Sequence, residues 1–123
     1  MKKRGFTLIE LIMVIVILGI LAIVAIPRYF NLQSDAQSAA EDGVVGGVRS
    51  GVHTYFAENK TWPATLDSAA VSSSANSTNP FFDSVLSQGG ITSDWSKDAA
   101  GNYIGPATTE YYYNSGDGSF ISQ

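Results

Sequence analysis

A single carboxylate, Glu10, lies within an otherwise apolar run. From Leu11 to Pro27 no charged residue occurs, and extended back to Phe6 the run reaches Ile26, 21 residues in all. That matches the ~20 apolar residues a helix needs to cross the hydrocarbon of a bilayer. A charge inside such a helix costs roughly 2.5–3.5 kcal/mol, so Glu10 marks a function or a partner. Upstream stands a short basic leader, Met1-Lys2-Lys3-Arg4-Gly5. Elsewhere the chemistry is sparse. His53 is the one histidine, there is no cysteine, and no serine sits in a nucleophile motif, so no catalytic constellation emerges. Asp94, Asp98, Asn102 and Asp117 fall in or near predicted turns. They are the candidate oxygen ligands for a hard cation such as calcium, although their spacing does not match the EF-hand loop.

These residues need elements to hold them. From Ala36 onward, small and apolar residues recur at three- and four-residue spacing through Ala39/Ala40, Gly43/Val44, Gly47/Val48, Gly51/Val52 and Tyr55/Phe56. That is one face of an amphipathic helix. Gln37, Glu41, Asp42, Arg49, Ser50 and His53 between them suit its wetter face. A helix over 6–58, interrupted near Pro27, would be about 80 Å long at ~1.5 Å per residue. A domain of this size cannot bury it, so its first half must meet lipid or other copies of itself. Gly43, Gly46, Gly47 and Gly51 predict close approach of its second half to a sheet or helix.

Asn59–Pro63 ends the helix, because the residue before a proline avoids the helical region. A Ser-rich connecting loop follows over 64–79, with a short helix predicted near Leu66–Ala70. Short strands then read as Ile91–Ser96 and from Tyr103-Ile104, followed by a hairpin of Glu110–Asn114 and Gly118–Ser122 across a turn at 115–118. The alternation in Tyr111-Tyr112-Tyr113 places Tyr112 on the face opposite its neighbours. The organisation is a leader at 1–5, a membrane or filament-core helix at 6–29, an amphipathic half at 30–58, and a head at 59–123. The fold class is α+β: a long N-terminal helix packed on a small antiparallel sheet.

The 123 residues leave room for one small domain. The leader carries three of the seven basic residues, against eleven acids in the rest. An acidic head argues against nonspecific nucleic-acid binding, since the phosphate backbone repels it. The leader cations read as a cytoplasm-retained end. Without cysteine, the C-terminal end must be held by packing, backbone pairing or a metal ion. Fourteen Phe, Trp and Tyr residues supply core and contact surface. An ordinary signal peptide fits less well than a retained helix, because the apolar core exceeds 7–15 residues and Glu10 interrupts it.

The basic leader, Gly5-Phe6-Thr7-Leu8-Ile9-Glu10 and the apolar run closed by Pro27 resemble the start of a type IV pilin or pseudopilin precursor. The resemblance implies cleavage by a prepilin peptidase between Gly5 and Phe6 and methylation of the Phe6 amine. It implies that Glu10 pairs with the N-terminal amine of a neighbouring subunit, so that Phe6 and Glu10 are the assembly determinants. Gly19 and Pro27 would mark a segment that loses helicity in assembled filaments. The function implied is structural, not enzymatic: a subunit stored in the inner membrane and polymerised, by inner-membrane assembly machinery, into a homopolymer. The filament would be an extracellular pilus or a periplasmic pseudopilus. The alternatives are a major pseudopilin of a type II secretion system and a minor pilin or adhesin acting as a binding module. Calcium in the C-terminal loop is a property of major secretion pseudopilins; otherwise the resemblance implies no cofactor.

Overall fold

A computed structural model describes residues 4–123. One helix, α1 (Leu8–Asn59), is followed by four short strands: β1 (Ser96–Lys97), β2 (Tyr103–Ile104), β3 (Glu110–Asn114) and β4 (Ser119–Ser122). Two compact units divide the chain after Ala36.

In the first unit the apolar run is helical and unburied. Its 18-residue stretch of mean hydropathy 3.2 is long and apolar enough to cross a membrane. Phe6, Leu8 and Ile23 expose 91%, 77% and 74% of their surface. α1 passes through Gly19 and Pro27 without a break, so the interruption expected near Pro27 is corrected: the helix is continuous there. Proline at that position removes one N–H from the helical ladder. The loss of helicity expected there concerns the assembled filament, whereas this is a single chain.

In the second unit the rest of α1 buries Glu41, Val45, Val48 and Val52, a stripe at spacings of four, three and four. It packs into a core with Leu66, Phe81, Phe82, Trp95, Tyr103, Tyr111 and Phe120. The helix ends where Lys60 turns to φ 61° and donates its N–H to the Phe56 carbonyl at 2.8 Å. A left-handed residue just past a helix satisfies one of its orphan carbonyls in this way. Gly46-Gly47 leaves the helix intact. Of the four glycines expected to allow close approach, Gly51 does so: a Cβ there would overlap the Val85 carbonyl. Gly43 and Gly46 face open space, and Gly47 makes an ordinary contact with Leu86.

The sheet is antiparallel throughout, in the order β1-β2-β3-β4. Its register pairs Lys97 with Tyr103, Tyr103 with Tyr111, and Tyr113 with Phe120, so these side chains share the core face. Tyr112 and Ile121 pair on the opposite face, half exposed. Two sequence expectations are corrected. Ile91–Ser96 is not one strand: Ile91 bridges Phe81, and β1 begins only at Ser96. Asp94, at φ 64°, turns the chain between them. No helix forms near Leu66–Ala70, because the Asp67 carboxylate accepts the Ala69 N–H at 3.1 Å. A side chain bonding its own backbone two residues on competes with helix formation.

Candidate functional site

The first unit holds the assembly candidates. Gly5 and Phe6 precede α1 and are exposed; Met1, Lys2 and Lys3 of the leader lie outside the described residues. Thr7 is the N-cap of α1, and Glu10 stands three residues later. Glu10 Oε2 accepts the Thr7 N–H at 2.7 Å and its hydroxyl at 3.0 Å, while Thr7 Oγ1 accepts the Glu10 N–H at 3.3 Å. This is a reciprocal capping box. It turns the carboxylate back toward the N-terminus and fixes its rotamer, and Oε1 makes no hydrogen bond among the described residues. Sequence reasoning took Glu10 as a lone charge and missed the box, although Thr-x-x-Glu at the head of an apolar run is its signature.

The calcium candidates are engaged locally. Asp98 accepts the Asn102 backbone N–H at 2.9 Å and its side-chain amide at 3.1 Å. Asn102 also donates to Glu110 at 2.8 Å. The Asn102 N–H holds the Asp98 carboxyl below its ordinary range. Asp117 accepts the Ser119 N–H at 2.9 Å, and Ser119 lowers its pKa likewise. Asp94 is exposed and bonded by Ser93 at 3.2 Å. Among the described residues no group of three or more His, Cys, Asp or Glu could hold a metal ion. His53 lies exposed on α1, edge-on to the Trp62 ring at 5.7 Å.

The groups that tie the head together are different ones. Glu41, expected on the wet face, is 2% exposed. Its Oε1 accepts the Tyr111 hydroxyl and its Oε2 the Ala107 N–H, both at 2.8 Å. Gly105 admits the carboxylate, since a Cβ there would overlap it. Asp67 is equally buried and forms an ion pair with Lys97. Its Oδ2 accepts the Phe82 N–H and the Tyr103 hydroxyl, both at 2.9 Å. Lys97 Nζ also donates to the Ala69 carbonyl at 3.1 Å and lies 4.7 Å from the centre of the Tyr103 ring. Arg49 Nε donates to the Phe120 carbonyl at 2.8 Å, joining α1 to β4. Buried, carboxylate-bonded Tyr103 and Tyr111 have pKa values raised above the ordinary phenol. The phase of Glu41 with Val45, Val48 and Val52 was readable; nothing in the sequence marks Asp67 or Lys97 as buried.

The Prokaryotic N-terminal methylation motif family matches residues 1–26. The chain is similar to the fimbrial protein EcpC of Eikenella corrodens, with 32% identity over 123 residues, 96% of this chain and 79% of that one. A fimbrial protein of Neisseria meningitidis serogroup A is 38% identical over 89 residues, covering 72% of this chain and 52% of the relative. The type IV major pilin protein PilE of Neisseria gonorrhoeae is 37% identical over 89 residues, covering 72% and 53%. The chain thus spans about half the length of these Neisseria relatives. No solved structure matches it significantly.

Proposed function

Because the chain belongs to the type IV pilin family, whose members are structural subunits and not enzymes, we propose that its first unit polymerises it in a defined sequence of steps. A prepilin peptidase cuts between Gly5 and Phe6, and the Phe6 amine is methylated. The subunit waits in the inner membrane with the leader end cytoplasmic, and assembly machinery there draws it into a homopolymeric pilus. In the filament, neighbouring apolar helices replace lipid around Phe6–Ile26. Glu10 sets the depth of insertion by pairing with the N-terminal amine of the next subunit.

The observation that carries this reading is the single carboxylate in an unburied, membrane-length apolar helix. The capping box supports it, since it points the carboxylate toward the N-terminal end, where a neighbour's amine would lie. No calcium enters this assembly scheme. The similarity to fimbrial proteins and major pilins favours a surface pilus over a secretion pseudopilus.

Glu10→Val is the test. It makes the helix more apolar, so membrane insertion should persist or improve. Assembly should fail, because an uncompensated buried charge costs ~3–5 kcal/mol at each contact. Quantifying the variant in membranes and in sheared fibres decides it: a full membrane pool without fibres is expected. Normal fibres would remove Glu10 from the mechanism.

A further inference from the structure

The ion pair of Asp67 and Lys97 has the surroundings of a reaction site. Both residues are buried, at 4% and 9% exposure. Aromatic rings enclose the amine: Nζ lies 4.7 Å from the centre of Tyr103 and 5.4 Å from that of Phe81. While Oδ1 faces the amine and accepts the Ala69 N–H at 3.1 Å, Oδ2 takes two donors, the Phe82 N–H and the Tyr103 hydroxyl, each at 2.9 Å. The Phe82 N–H is held there by backbone at φ 61°, a conformation costly for a bulky residue. An open cleft of about 310 Å³ runs beside the pair, lined in part by Asp67, Lys97, Tyr103 and Tyr112.

We propose that Lys97 and Asp67 condense into an intramolecular isopeptide bond that staples the head. A proton passes from Nζ to Oδ1, leaving a neutral amine and a neutral acid. The Nζ lone pair attacks Cγ, and charge develops on Oδ2, where the Phe82 N–H and the Tyr103 hydroxyl receive it. Donors fixed in advance on a developing oxyanion lower the barrier without reorganising, each contributing on the order of a hundredfold or more in rate. The tetrahedral carbon collapses by expelling Oδ1, which leaves as water with two protons drawn from Nζ. The balance is –NH3⁺ plus –COO⁻ giving –CO–NH– plus H2O, with no oxidant or reductant. The cleft offers the water an exit. Proximity replaces an external activating group, since oriented intramolecular partners react as though at very high concentration. Condensation also relieves the desolvation cost of two buried charges. The bond would join the start of the head to β1 in a chain that has no cysteine for a disulfide.

Trypsin gives a direct reading. Beyond Lys60 the one remaining Lys or Arg is Lys97, so an unlinked chain yields Thr61–Lys97 and Asp98–Gln123 at full mass. Acylated Lys97 resists cleavage. The full chain, purified in detergent, denatured and digested, should therefore give Thr61–Gln123 as one species, one water lighter than its sequence. Fragmentation should join residues 67 and 97. Lys97→Arg should restore two peptides at full mass whether or not that variant folds. Among chains that fold by near-ultraviolet circular dichroism, Tyr103→Phe should accumulate the link on the order of a hundredfold more slowly, the effect of losing one oxyanion donor. Two full-mass peptides from the unmodified chain would overturn the proposal, and an undiminished rate in Tyr103→Phe would overturn the role given to its hydroxyl.

Discussion

Glu41 and Asp67 are built alike, each accepting one tyrosine hydroxyl and one backbone N–H from a distant segment. Each also braces a left-handed turn, Thr108 beside the Ala107 donor and Phe82 itself. A buried carboxylate with several donors orders those donors as much as they stabilise it. Glu41→Ala would leave the Tyr111 hydroxyl and the Ala107 N–H without their acceptor. An unmet buried polar group costs ~1–3 kcal/mol, so the substitution should lower head stability by about 2–5 kcal/mol. Thermal denaturation of the full chain in detergent checks this, and Asp42→Ala on the exposed neighbouring position should change little. A fall for Glu41→Ala no larger than for Asp42→Ala would mean that the buried carboxylate does not brace the C-terminal segment.

At the scale of elements, glycines in α1 divide by what they face. At Gly51 the helix runs against the Val85 carbonyl, while Gly43 faces open space. Gly43→Ala should stabilise the helix by ~0.5–1 kcal/mol, the ordinary gain from removing glycine's freedom. Gly51→Ala should destabilise despite the same helical gain, because α1 and the 84–87 segment must separate. Opposite shifts in melting temperature are expected, and shifts of the same sign would place the close approach elsewhere. The sequence contained part of this pattern. It carried the long helix in its apolar run and its three- and four-residue spacing, and the β3–β4 hairpin in its alternation and turn residues. The position of β1 was not legible, because it depends on a bridge from Phe81 to Ile91 and a left-handed turn at Asp94. Among the candidate site residues, Glu10 stood out through composition. Its Thr7 partner is local and was readable, whereas the Asp67–Lys97 pair exists only after the loop has folded across the sheet.

For the whole molecule, the head is joined by hydrogen bonds that need protonated phenols. Tyr103 donates to Asp67 and Tyr111 donates to Glu41, so ionising either tyrosine would remove a donor, and ionising Tyr111 would also set a second negative charge against the Glu41 carboxylate. Burial is the first cause raising both pKa values, with the facing carboxylate adding to it. In the unfolded chain the phenols titrate near their ordinary 10.0. A folded pKa above the unfolded one means that the folded state binds protons more tightly. The resulting stability is therefore fully present below about 10 and declines as pH climbs from there toward the folded values. Asp98 and Asp117 act in the other direction, their lowered values giving stability that is lost only as pH falls below the ordinary 3.8. Between those limits the melting temperature should be nearly level with respect to these four groups. Denaturation of the full chain in detergent, followed from pH 7 to pH 12, should show the decline setting in near pH 10. Tyr111→Phe should start from a lower stability at pH 7, since Glu41 loses a donor, and then fall less steeply above pH 10. If its alkaline slope equals that of the unmodified chain, Tyr111 is not a group whose ionisation unfolds the head.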